Sequence, residues 1–187
     1  MSSIEADKVV LTISILNSKF EIDSEYTKIS DFFTTWLEGH GVEGNPDTYH
    51  LDIDVLKGME NPEIAIEGIV QYMNIAKGIR QDIVPYPLKE IINDEKGMRA
   101  YVCKLRLKHE YQEDETQVVP VEEDNFEIAD FIDNYVEKNG MTGLYEMMGY
   151  SNFLGIKPLL YLCCAKMALM MKDKSLEEIK TLVESGL

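Results

Sequence analysis

Histidines, paired cysteines, a glycine cluster and an acidic run are the features of this chain that could do chemistry. His40, His50 and His109 are scattered along the chain. A metal site or a proton-relay triad needs such groups to converge, so these read as surface histidines. Cys163 and Cys164 are adjacent, a spacing that strains a disulfide, and they read as thiols packing like small hydrophobes. Gly39, Gly41 and Gly44 lack the following Gly-Lys-Ser/Thr and the strand–helix setting of a phosphate-cradling loop. Glu110 to Asp124 carries seven acids without the spacing of a calcium loop, and reads as a solvated segment. No catalytic residue, metal ligand or cofactor site emerges, so the expected class is non-enzymatic.

Charge narrows the partners. Lys and Arg total 18 against 34 Asp and Glu, a formal net charge of −16 that repels phosphate backbones and anionic lipid headgroups. Nucleic acid and membrane are therefore not expected as partners. No basic-then-apolar targeting segment opens the chain. The longest apolar run, Leu159 to Met171, is interrupted by Lys166 and reads as a buried helix. Cys103, Cys163 and Cys164 make an odd set without zinc spacing, which points to reduced thiols in cytoplasm and nucleus.

The elements that would position any site follow from periodicity. Val9 to Ile15 and Lys19 to Asp23 alternate about a turn at Asn17-Ser18, a hairpin pattern. Ser30 can cap a short helix whose Phe33, Trp36 and Leu37 share a face, before a loop marked by Gly39, Gly41, Gly44 and Pro46. Tyr49 to Val55 alternates as a third strand. Asn61-Pro62-Glu63 is a helix start continued by Ile66, Ile69, Val70 and Met73. Pro85 and Pro87 break the chain, and Arg99 to Lys108 alternates as an edge strand. Ile128, Phe131, Ile132, Tyr135 and Val136 form a helical stripe ended by Asn139-Gly140, and a second helix starts near Thr142. Lys157-Pro158 opens a third, and Ser175-Leu176-Glu177-Glu178 is a capping box for a fourth carrying Ile179, Leu182 and Val183.

Leu144 to Leu160, reading LYEMMGYSNFLGIKPLL, resembles the Skp-family signature LFELILAANYLDIKGLL. The likeness continues through Cys164, Ala168, Met170, Lys172, Lys174 and Glu177-Glu178-Ile179, similar to the family's CKTVANMIKGKTPEEI. Polar positions fall in register with the apolar ones: Asn152, Lys157, Lys172, Lys174, Glu177 and Glu178. Val9 to Gly41 resembles the family's opening hairpin and first helix, with Phe20-Glu21-Ile22-Asp23 standing for FEVD. Leu51 and Ile66 to Met73 resemble its third strand and the following helix, and Ile132-Asp133-Asn134 sits where the family has WDQ. The Asp and Gly of the family's LDIKG are Gly155 and Pro158 here.

That resemblance implies an α/β fold: a BTB/POZ-type domain over residues 8–127, with an acidic insertion at about 75–127, then Skp-type helices over 128–187. It further implies an adaptor of an SCF-type ubiquitin ligase, bridging a cullin to F-box proteins. The position matching the family's cullin-touching pair is Asn152-Phe153. The F-box side would correspond to Leu159, Leu160, Cys163, Met167, Met170, Ile179 and Leu182, residues whose apolar character suits a domain core equally well. The alternative is a Skp-like scaffold that forms a homo-oligomer or assembles a non-ligase complex.

Overall fold

The computed structural model describes residues 9–40, 48–77, 127–172 and 174–184. The N-terminal part is a three-stranded sheet in the order β2-β1-β3, with β1 Val10–Ile15, β2 Ser18–Asp23 and β3 Thr48–Asp52. β1 runs antiparallel to β2 and parallel to β3, so Ile13 lies opposite both Phe20 and Leu51. As the central strand, β1 buries Leu11, Ile13 and Ile15, and Thr12 between them is buried as well. The hairpin turns on Leu16 and Asn17, one residue earlier than the sequence suggests, because Ser18 already pairs with Ile15. Leu16 takes a positive φ of 51° there, and its side chain is exposed.

A 3-10 turn, Ser24–Ile29, leads into helix α1, Asp31–His40, so Gly39 lies in that helix and not in the loop expected for it. β3 ends at Asp52, short of Val55. Helix α2, Pro62–Ala76, starts where Asn61-Pro62-Glu63 predicts, but the Asn61 side chain makes no cap. The cap comes from elsewhere in the chain. Glu146, almost wholly buried, accepts the backbone N–H groups of Glu60 (2.7 Å) and Asn61 (3.0 Å). These N–H groups belong to the N-cap residue and the one before it, and the positive end of the helix dipole favours a carboxylate beside them.

Glu146 belongs to α3, Glu127–Phe153, which Gly140 (φ 65°, ψ −163°) interrupts at the stop that Asn139-Gly140 marks in the sequence. One turn past Glu146, the Tyr150 hydroxyl accepts the Leu56 N–H at 3.0 Å, so the second half of α3 grips the β3–α2 connection twice. Before the break, Ile128, Phe131, Ile132 and Tyr135 are buried as expected. α2 approaches α3 closely at Gly68, where a Cβ would drive into the Tyr135 ring. The Tyr135 hydroxyl lies 3.3 Å from the carbonyls of Ile64 and Gly143, and burial raises its pKa above the ordinary phenol range. α4, Lys157–Met171, and α5, Leu176–Glu184, follow. The expected edge strand at Arg99 to Lys108, the acidic loop after it and Cys103 lie outside the described residues.

Glu146→Ala should destabilise the fold by about 2–3 kcal/mol, because it leaves two partly buried N–H groups unpaired. Glu146→Gln keeps one acceptor oxygen and should cost less. Urea titration of both variants checks the order.

Candidate functional site

Two surfaces carry the residues singled out from the sequence. The first is built where α3 ends against α1. Gly155 takes φ +67°, and the Ile156 N–H reaches back to Ser151 O (2.9 Å) while Gly155 N–H reaches Asn152 O (3.2 Å). This is the glycine-terminated helix end known as a Schellman motif, and it accounts for glycine where the Skp signature has Asp. Ser30, fully buried, ties α1 to that end. Its hydroxyl donates to the Leu154 carbonyl at 2.6 Å and accepts the Phe33 N–H at 3.1 Å. The Phe32 N–H also reaches Leu154 O, at 3.3 Å.

These bonds set Phe32 against Phe153, with ring centroids 5.4 Å apart. Phe153 is 43% exposed, a large aromatic side chain facing solvent beside the exposed Asn152. Nearby in sequence, Lys157 Nζ lies 3.6 Å from Asp31 Oδ2, and both side chains are well hydrated, so this ion pair adds little stability. Asn152 and Phe153 thus fall together on an outward patch. Phe32 and Asp31 join them, a contribution the sequence signalled only by Phe32 standing off the Phe33–Trp36–Leu37 stripe.

The second surface is α4 with α5. Pro158 sits in the first turn of α4, where a missing N–H costs nothing. The inner side of α4 buries Leu159, Leu162, Cys163 and Ala165, and Lys166 reaches Asp133 of α3 at 2.8 Å. Leu159 and Cys163, both expected on the F-box side, have no exposed surface here and hold α4 to the core. Burial keeps the Cys163 thiol well above the ordinary thiol range, suiting a packing role. Both Cys163 and Cys164 are free thiols, and Cys164 lies 3.6 Å from the Met148 sulfur.

The remaining expected residues divide differently. Met167 and Met170 are half-buried and pack partly against the core. Leu160 and Ile179 are half-buried, with Tyr161 and Leu176 exposed beside them in sequence. Leu182 lies on α5, and its side chain is outside the described residues. The capping box forms as the sequence predicts: Ser175 N–H donates to Glu178 Oε2 (2.7 Å), and Glu178 N–H donates to Ser175 Oγ (3.3 Å). Among the described residues no cluster of three His, Cys, Asp or Glu could hold a metal ion, and no helix is long and apolar enough to cross a membrane.

Residues 157–183 match the Skp1 family, dimerisation domain, a span that covers all of α4 and α5 up to Val183. Over that span the chain is similar to the Skp1 family. No curated protein matches it. The Skp1-family match falls on the second surface, and its description points to protein–protein contact as the work of this region.

Two outcomes test the geometry. Phe153→Ala should lower stability by about 1 kcal/mol, the size of one exposed aromatic pair, and not the ~3 kcal/mol of a core aromatic. Chemical denaturation separates the two. Hydrogen bonds from Ser175 hold the Glu178 carboxyl below its ordinary range. A depressed carboxyl stabilises at neutral pH, above its unfolded value, and that contribution is lost as pH falls through the lower folded value. The backbone chemical shifts of α5 should therefore move toward coil as pH falls below the ordinary carboxylate range in wild type, and this acid-dependent loss should be absent in Glu178→Gln.

Proposed function

We propose that this Skp-like chain is a non-catalytic adaptor of an SCF-type cullin–RING ubiquitin ligase, with the Phe32–Phe153 patch facing a cullin and the α4–α5 face holding the F-box of a substrate receptor. The observation that carries the reading is α4 itself. A helix with apolar side chains around its whole circumference is stable where every side is covered. Here the core covers one side, while Leu160, Tyr161, Cys164, Ala168 and Met171 are half-buried or exposed. Methionine-rich apolar surface suits an adaptor that accepts several related helices, since thioether side chains repack at low cost. Such an adaptor would act in the cytoplasm and nucleus.

Calorimetric titration with an F-box fragment and, separately, with a cullin N-terminal fragment tests both faces. Saturable heat is expected for each at micromolar concentration. Ile179→Arg with Leu160→Arg should abolish F-box binding without loss of helical circular dichroism, because a buried arginine would lack a counter-charge. Phe153→Ala should weaken the cullin alone, by ~2 kcal/mol or about 30-fold. No heat with the F-box fragment at about 100 μM would end the adaptor reading.

A second reading draws on the description of the matched segment as a dimerisation domain: a scaffold that self-associates through α4 and α5. Sedimentation separates it, since a concentration-dependent dimer lost in the same double variant would favour self-association. The net charge of −16 opposes that association at low salt.

A further inference from the structure

A groove of about 670 Å³ runs between α2 and the half of α3 that precedes Gly140, lined by none of the residues assigned above to a cullin or an F-box. Phe131 and Tyr135, both almost wholly buried, are its aromatic lining residues, their ring centroids 6.0 Å apart. Glu67 lies on the α2 side, Glu127 and Asp130 on the α3 side, and amide side chains such as Asn134 continue the lining. Lys138 is the single cation among the lining residues. Acids beside apolar lining make a chemistry that selects one kind of side chain. A guanidinium or ammonium finds carboxylates on both sides of the groove, and its aliphatic stem finds apolar surface such as Ile75.

We propose that this groove docks a protein partner through an arginine- or lysine-bearing segment. The argument is one of charge complementarity and is independent of the adaptor reading. The field of a chain at −16 draws a basic segment in over long range, and the groove supplies the place where the approach becomes specific. An acidic or neutral peptide of the same length has no such match.

The test titrates the full chain with a labelled peptide of alternating leucine and arginine, followed by fluorescence anisotropy, beside the same peptide with glutamate for arginine. Saturable binding of the arginine peptide alone is expected, weakened by added salt. Glu67→Gln with Asp130→Asn should reduce the affinity about fivefold or more, whereas the remote pair Glu25→Gln with Glu177→Gln should leave it unchanged. Equal losses in both double variants would assign the binding to overall charge and overturn the proposal. So would binding abolished by Ile179→Arg, which would move the peptide to the α4–α5 face. Binding that appears only after deletion of residues 99–108 would make the chain's own basic stretch (Arg99, Lys104, Arg106 and Lys108) the occupant, and would equally overturn an external partner.

Discussion

The carboxylate of Glu146 is the constraint on which the arrangement of this chain turns. A helix start cannot be buried with its N–H groups unpaired, and Asn61 does not supply its own cap. At that point α3 delivers an acceptor to the residues that lead into α2. Glu146 does so, and Tyr150, four residues on, holds Leu56 of the same connection. Leu154, four further, receives Ser30 from the start of α1. Three successive turns of one helical edge thus fix α2, the segment that leads to it and α1. The N-terminal sheet and the C-terminal helices cannot shift independently while those bonds hold.

That edge determines what is left for partners. With 146, 150 and 154 turned inward, the neighbouring positions 145, 152 and 153 turn outward, and Tyr145 and Phe153 are exposed for this geometric reason. The Schellman end at Gly155 then redirects the chain into α4. Only one side of α4 can meet α3, and Leu159, Leu162 and Cys163 take it. Of its other apolar side chains, Met167, Leu169 and Met170 pack partly against the core, while Tyr161 and Ala168 stay exposed. The incompletely covered apolar surface follows from the route of the backbone, before any partner is considered.

Much of this was legible in the sequence because periodicity reports burial directly. The hairpin, the α2 start, the stripe from Ile128 to Tyr135, the Asn139-Gly140 stop and the Ser175 capping box were readable from local rules, and each involves residues within a few positions of one another. The Glu146 cap was not readable, because its donors lie 85 and 86 residues away and an acid between Tyr145 and Met147 reads as a solvated position. The one available signal was the 146–150 spacing of two polar-tipped residues on an otherwise apolar face. Likeness to the Skp signature located the right stretch of chain but could not divide it by side. Leu159 and Cys163 went to the core, Leu160 to a half-buried position and Phe153 to the surface, on the 3.6-residue repeat of helices whose phase only the tertiary packing sets.

This division bears on how far likeness can carry function. Residues facing inward along α3 and α4 are bound to one another by packing, so a chain that keeps the fold must keep their character whether or not it keeps a partner. Glu178 and Ser175 belong with them, since a reciprocal cap serves α5 in any assembly. Resemblance at those positions therefore argues for architecture. Leu160, Tyr161, Leu176 and Ile179 are under no comparable internal demand: polar side chains there would fold equally well and raise solubility. That they are apolar in a chain otherwise so acidic is the part of the pattern that folding does not explain. The case for a partner rests on these outward residues, together with Phe153 held in place by Ser30 from behind.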